Sequence, residues 1–329
     1  MIRTRIIGTG SYVPPDILTN DNLSEMVDTS DEWIRTRTGI CNRHIAKDMD
    51  NADMAYNAAR NAVENACIEA SAIGLIIVAT STPDYAFPNQ ASLVQAKLKA
   101  VNAMCFDVSA ACSGFITALD IAASMLKAGS YKYALVIGSE KMSEIVNWKD
   151  RSVCVLFGDG AGAVVLKAAD NNTEDVIGAA GQERGIIDSN IYNDGTGASV
   201  LTGGRRFSDS RSTDMFIHMD GQEVFKFAVK SVPTAIETLL HNNNMNVDDV
   251  DKFILHQANV RIIESVAKRL KADKDKFPVN LNEYGNTSSA SIPILLDELN
   301  RNGSLKQGEK LILAGFGAGL SWGSILLVW

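Results

Sequence analysis

The sequence predicts an α/β protein of two similar halves, stacked as a five-layer α/β/α/β/α sandwich. Three observations lead there. Short, continuously apolar strands such as Gly74-Leu75-Ile76-Ile77-Val78-Ala79 and Lys310-Leu311-Ile312-Leu313-Ala314 alternate with amphipathic helical segments. Strands that are apolar at every position belong to sheets covered on both faces, which requires helices on either side. The same order of elements then runs twice, over 1–170 and over 171–329, with one central helix in each half.

The elements justify that reading in order. Arg3-Thr4-Arg5-Ile6-Ile7-Gly8 opens the chain as a strand and not as a signal peptide. Thr29-Ser30-Asp31-Glu32 reads as a capping box, and the helix it starts sets Trp33 and Arg37 on one face. A helical segment from Met54 to Glu69 leads to the strand 74–79, and a second from Gln90 to Lys99 leads through a short strand to Asp107-Val108-Ser109-Ala110-Ala111-Cys112-Ser113-Gly114-Phe115. The run after it has apolar residues at Phe115, Leu119, Ile121, Ala122, Met125 and Leu126, which is helical spacing, and ends at Gly129. Strands at Tyr133–Gly138 and Gly162–Leu166 complete the first half. Gly158-Asp159-Gly160-Ala161-Gly162 lacks the dinucleotide-binding spacing and a following helix, so it reads as a tight hairpin turn.

The second half repeats the pattern. The helix Gly221–Asn242 leads to the strand Lys252–Leu255, and the helix Val260–Leu270 precedes one entered through Asn286. Strands at Lys310–Ala314 and Ser324–Val328 finish the chain. Cys112 and Asn286 thus fall at matching places, each before the central helix of its half. The segment 181–214 is polar and glycine-rich, and whether it covers a site or projects as a loop stays open.

Composition narrows the function classes. The 329 residues are 46% hydrophobic and 21% charged, enough for a large core. Five cysteines without a C-x-x-C pair argue against a disulfide framework and suit a reducing cytoplasm. The four histidines, His44, His218, His241 and His256, lie near no cysteine at metal-ligand spacing, so no metal is expected. No apolar run reaches the ~18 residues of a membrane span. A net charge of −8 argues against nucleic acid as a partner.

Cys112 is the candidate of most chemical interest. It stands between a strand and a helix N-terminus, where unpaired N–H groups and the macrodipole favour an anion, and its neighbours are small. On this turn alone a nucleophile and a buried, inert thiol are both open readings. His256 follows the apolar strand Phe253-Ile254-Leu255 and, taken singly, reads first as a satisfied structural histidine. Asn286, in Tyr284-Gly285-Asn286-Thr287-Ser288-Ser289-Ala290-Ser291, reads singly as a helix cap.

Together and in this order, Cys112, His256 and Asn286 resemble the thiolase superfamily, and within it the β-ketoacyl-acyl-carrier-protein synthase III family. The resemblance extends through Gly8-Thr9-Gly10-Ser11-Tyr12-Val13-Pro14, Thr29 to Ile34 with Thr36 to Ile40, Phe157 to Ala163, and Gly315-Phe316-Gly317-Ala318-Gly319-Leu320-Ser321-Trp322-Gly323. It spans essentially the whole chain and implies a thiolase-like duplicated fold. The pairing of His with Asn matches the initiating class, because elongating condensing enzymes carry two histidines there and thiolases a second cysteine. A related secondary-metabolite condensing enzyme or acyltransferase, of quinolone or polyketide type, is the alternative.

The resemblance also implies the chemistry. Cys112 would take the acyl group of an acyl-coenzyme A. His256 and Asn286 would stabilise the enolate formed by decarboxylation of malonyl-acyl carrier protein. Backbone N–H groups of Cys112 and Ala318 would hold the oxyanion. Coenzyme A would contact Thr29, Trp33, Arg37, Arg151, Phe225 and Ala258, with its adenine between Trp33 and Arg151. Acyl carrier protein would dock on Gln257, Arg261, Lys268 and Lys226. The protein would be a homodimer in which Phe87, in Asp84-Tyr85-Ala86-Phe87-Pro88, closes the partner's acyl pocket. No cofactor is expected beyond the two thioester substrates.

Overall fold

The computed structural model describes residues 2–170, 184–204 and 214–329. In chain order its main elements are β1 (Ile2–Tyr12), α1 (Asp31–Thr38), α2 (Asn51–Asn65), β2 (Leu75–Ala79), α3 (Gln90–Leu98), β3 (Met104–Val108), α4 (Gly114–Lys127), β4 (Tyr133–Glu140) and β5 (Gly160–Asp170). Then come β6 (Gly185–Asn193), α5 (Gly221–Asn242), β7 (Lys252–Leu255), α6 (Val260–Leu270), α7 (Ser291–Arg301), β8 (Lys310–Gly317) and β9 (Ser321–Val328). The expected boundary at 170/171 borders residues outside the described ones, and 181–183 and 205–213 of the 181–214 segment lie outside them; within that segment Gly185–Asn193 is the strand β6 and not a loop.

Two sheets carry the same topology. The first has the order β1-β5-β4-β2-β3 and the second β6-β9-β8-β7. In each, two antiparallel pairings are followed by a parallel one: β1/β5, β5/β4 and β4/β2 correspond to β6/β9, β9/β8 and β8/β7. A strand alternates its side chains between faces, and here both faces are covered. Leu75 and Ile77 of β2 face the central layer, while Ile76 and Val78 face α2 and α3. In β7, Ile254 faces the centre, and Phe253 and Leu255 face α5 and α6. The central layer is α4 and α7, whose Phe115, Leu119, Leu126, Ile292 and Leu296 fill the space between the sheets. The five layers are thus α2/α3, first sheet, α4/α7, second sheet, α5/α6.

Several local expectations are corrected. Helix α1 is capped by Ser30, whose hydroxyl accepts the Trp33 N–H at 3.1 Å; the cap is not a box built on Thr29 and Glu32. The Phe157–Gly162 segment is not a hairpin turn. It runs extended into β5, pairs with Asn286 through Phe157, and carries no positive φ. Its glycines answer to packing: a Cβ on Gly162 would lie 2.6 Å from the Ile294 N of α7. The matching of Cys112 with Asn286 shifts by three residues. Each central helix is entered by a 3-10 turn whose first residue has positive φ, Ala111 (+46°) or Ser288 (+50°). Counted from those turns, Cys112 corresponds to Ser289.

Candidate active site

The site lies where the two 3-10 turns meet the ends of β4, β7 and β8. Strand β7 delivers His256, whose N–H continues the ladder to the Ala314 carbonyl at 2.8 Å. Asn286 is held from both sides by the stretch Leu156–Gly158: its N–H donates to Leu156 O at 2.8 Å, and its carbonyl accepts from Gly158 N at 3.1 Å. The end of β8 closes over Cys112, and a Cβ on Gly317 would lie 2.8 Å from the Cys112 N. Only a glycine permits that approach.

Cys112, His256 and Asn286 line one cavity of about 1020 Å³, which also reaches Trp33, Arg37, Phe225 and Ala258. All three are buried, at 7%, 1% and 5% exposure, so their chemistry is played out away from bulk water. A second cavity, of about 360 Å³, opens on the other side of Cys112. Met142, Ile145 and Ile217 make it mostly apolar, and Ala318 lines it. Cys112, Phe157 and Leu201 border both cavities. The thiol therefore stands at the junction of a long entrance and a smaller apolar chamber.

Burial sets the charge states. It pushes the Cys112 thiol up to about 12, with the nearby Glu140 carboxylate adding to the rise and the Ser288 hydroxyl opposing it. The expectation of a helix-lowered thiol is corrected on magnitude. A helix N-terminus favours an anion by about 0.3–1 kcal/mol, less than the roughly 1.4 kcal/mol of one pKa unit, and full burial outweighs it. Burial also lowers His256 to about 3, so the imidazole is neutral. Ser291 Oγ lies 2.7 Å from His256 Nδ1 and accepts the Gln257 N–H at 3.3 Å. With Ser291 donating to Nδ1, the ring hydrogen sits on Nε2. Asn286 Oδ1 accepts the Ser288 N–H at 2.9 Å, which leaves its NH₂ to donate.

The remaining expected residues divide into those at the site and those apart from it. Arg151 lies 5.0 Å over the Trp33 ring, with Arg37 at 5.8 Å, and Arg151 donates to Asp28 O at 2.6 Å. The guanidinium therefore occupies the ring face that an adenine would take, and would have to part from it. The Thr29 hydroxyl is buried without a partner and lies outside the cavity lining. Positive φ in the β8–β9 turn falls on Gly319 (+129°) and not on Ala318, so alanine is tolerated there. Gln257 is corrected: it is 1% exposed, and its side chain bonds Leu255 O and Asn280 N, so it is not a surface contact. Arg261 and Lys268 are exposed on α6, and Lys226 is exposed on α5 beside Glu223 at 2.7 Å. Phe87 is 87% exposed and borders neither cavity.

Glu140 and Ser288 were missed in the sequence. Ser288 accepts from Cys112 Sγ at 3.4 Å and donates to Glu140 Oε1 at 3.1 Å. A charged residue ending the apolar strand Tyr133–Glu140 was the available signal. Among the described residues, no group of three or more His, Cys, Asp or Glu could hold a metal, and no helix is long and apolar enough to cross a membrane.

A thiolase-like fold with a buried cysteine between two cavities, facing a neutral His and Asn, defines the class of condensing acyltransferases. The comparisons agree. The family model described as 3-oxoacyl-[acyl-carrier-protein] synthase III matches residues 106–185, and that of the C-terminal part of the same family matches 240–329. The β-ketoacyl-[acyl-carrier-protein] synthase III of Clostridium acetobutylicum is 47% identical, covering 100% of this chain and 99% of that protein. The protein of the same name from Clostridium botulinum strain 657 is 48% identical with the same coverage. The crystal structure of 3-oxoacyl-[acyl-carrier-protein] synthase III from Aquifex aeolicus superposes with a TM-score of 0.92 at 46% identity, covering 99% of this chain and 100% of that one. A priming β-ketosynthase from the R1128 polyketide pathway gives 0.90 at 36% identity, covering 99% and 96%. The chain belongs to the β-ketoacyl-[acyl-carrier-protein] synthase III family and is an acyltransferase.

Proposed function

We propose that this protein condenses an acyl-coenzyme A primer with malonyl-acyl carrier protein, releasing carbon dioxide and giving the β-ketoacyl product that initiates type II fatty-acid synthesis. The observation that carries the reading is the single cavity joining Trp33 and Arg37 at one end to Cys112, His256 and Asn286 at the other. The Cys112 thiol attacks the primer thioester and keeps the acyl group in the apolar chamber beyond it. Malonyl-acyl carrier protein then enters by the same cavity and loses carbon dioxide. Neutral donors at His256 Nε2 and on Asn286 stabilise the enolate oxygen in a dry site. The enolate carbon attacks the acyl-cysteine, and the Cys112 and Ala318 N–H groups hold the resulting oxyanion. The polyketide-type alternative is less favoured, since the relative of that kind is 36% identical, whereas the two Clostridium synthase III proteins reach 47–48%.

The finer assignments rest on surface chemistry. Coenzyme A takes Trp33, Arg37, Phe225 and Ala258 along the cavity, with Arg151 and Thr29 at its rim. Acyl carrier protein docks on Arg261 and Lys268 of α6 with Lys226 of α5, a cationic area on a chain of charge −8. The protein acts as a homodimer without a cofactor. Its five unpaired cysteines suit a reducing cytoplasm.

Intact-mass measurement after incubation with a panel of acyl-coenzyme A esters tests the reading. One acyl adduct is expected, mapped to Cys112, absent in Cys112→Ala and discharged by malonyl-acyl carrier protein. An adduct on Cys105 or Cys154 would refute it.

A further inference from the structure

Glu140 lies behind Cys112 as seen from the cavity, and nothing in the condensation above uses it. It ends β4 and is fully buried, with no cation paired to it among the described residues. Five donors converge on its carboxylate. Oε2 accepts from Ser81 N at 3.0 Å, Thr82 Oγ1 at 2.8 Å and Thr80 Oγ1 at 3.4 Å. Oε1 accepts from Ser289 Oγ at 2.9 Å and Ser288 Oγ at 3.1 Å. Ser289 shares its one hydroxyl hydrogen between Glu140 and the Ala79 carbonyl at 2.9 Å, and hydroxyls accept as well as donate, so this surround can hold the carboxylate and can also take the hydrogen of a protonated Glu140. The Cys112 thiol in turn donates to Ser288 Oγ at 3.4 Å. The hydrogens thus point one way, from Cys112 through Ser288 to Glu140.

We propose that Glu140 receives the Cys112 proton through Ser288 as the thiol attacks the primer thioester, and returns it when the product leaves. This rests on the reading of Cys112 as the nucleophile. On loading, the Sγ–H bond breaks and its proton passes to Ser288 Oγ, whose own proton moves to Glu140 Oε1. The sulfur pair forms the bond to the thioester carbon, and the carbon–sulfur bond to coenzyme A breaks. That pair leaves on the coenzyme A sulfur, which takes a proton from water outside the cavity. On condensation, the bond between Sγ and the acyl carbon breaks with its pair returning to Sγ, and the proton comes back by the same two hops.

Electrostatics favours the exchange. A thiolate formed beside an ionised Glu140 would bury two like charges, whereas the relay keeps one negative charge there throughout attack and none in the acyl-enzyme. Burial raises Glu140 above the ordinary carboxylate range, which makes it a stronger base. Cys112 is the titratable group that faces it: the neighbouring segments 80–82 and 288–289 present only hydroxyls and N–H groups, and Lys141 turns to Glu144 at 2.9 Å. His256 is a poorer acceptor, because its Nε2 carries the hydrogen offered to the enolate.

The test compares Glu140→Gln and Ser288→Ala with the wild type from pH 6 to 10. It measures single-turnover acyl loading and iodoacetamide alkylation of Cys112 by intact mass and peptide mapping. In both variants the two rates should fall by ~10²-fold near pH 7 and recover as hydroxide replaces the relay, so the profile moves to higher pH. Ser288→Ala leaves four donors on Glu140 and serves if Glu140→Gln does not fold. A wild-type profile in both, a loss equal at every pH, or a Glu140→Gln profile moved to lower pH, as loss of a like charge alone would give, would overturn the relay with Cys112 still the acyl carrier. An acyl group on another cysteine would instead overturn the nucleophile reading itself.

Discussion

Cys112 and His256 are both neutral at rest, and that fact divides the labour among residues. A neutral imidazole held by Ser291 is a hydrogen-bond donor, suited to an enolate oxygen and not to accepting the thiol proton. His256→Ala and Asn286→Ala should therefore each depress carbon dioxide release from malonyl-acyl carrier protein by ~10²-fold or more, the scale of one lost oxyanion donor. Loading of Cys112, measured by burst release of coenzyme A, should change far less. Equal loss of both half-reactions would mean that His256 also takes the thiol proton. Taken singly each of these three residues had a structural reading in the sequence; only their order together, through the family resemblance, marked them, and the structure lines one cavity with all three. Glu140 was not marked, since its meaning comes from a contact with Ser288, 148 positions away. Gln257 was placed on the docking surface by the resemblance alone. Its side chain instead turns inward to the Asn280 N–H.

At the scale of elements, the apolar periodicity placed most helices and strands but missed β6, which lies in the polar 181–214 segment, and the other errors gathered at junctions. The Gly158–Gly162 segment was misjudged because glycine marks close approach as often as a turn, and only the position of α7 decides which. Helix α6 came out with the bounds the sequence predicts, Val260–Leu270. Its buried face carries Ile262, Ile263, Val266 and Leu270, which leaves Arg261, Lys268 and Arg269 outward. Arg269 donates to Val229 O at 3.3 Å, tying α6 to α5 and bringing Lys226 and Lys230 onto the neighbouring ridge. Asn259 caps α6 through Arg261 N at 2.9 Å and donates to Arg37 O at 3.1 Å, so this surface is fixed relative to the cavity mouth. Arg261→Glu should raise KM for malonyl-acyl carrier protein by about tenfold at low salt, narrowing as salt screens the contact. Acyl-coenzyme A loading should stay near wild type. Equal harm to both substrates would place Arg261 at the cavity mouth and not in a docking surface.

At the scale of the whole molecule, one face stays unfinished. Strand β3 is the outer strand of the first sheet, and its second edge has no neighbour among the described residues. Among the described residues the second sheet has no strand counterpart to β3, so the duplication does not account for this edge. Every residue of β3 is at least partly exposed, and Met104 (50%), Val101 (74%), Tyr85 (59%) and Phe87 (87%) add apolar surface near it. Natural sheets seldom leave such an edge flat, apolar and open. A second copy meeting β3 about a two-fold axis would cover the edge and bring each Phe87 loop to its partner. Light scattering at micromolar concentration should give twice the 35.5 kDa chain mass. Met104→Lys, which sets a charge on that edge, should shift the population toward single chains and lower condensation with it. Phe87→Ala should leave the dimer intact and change the range of primers that load Cys112, because the aromatic would act on the partner's acyl chamber and not on its own. A wild-type protein that is monomeric and fully active would refute both expectations together. A dimer whose primer range ignores Phe87 would refute only the second, and the chamber beyond Cys112 would then be closed by its own chain.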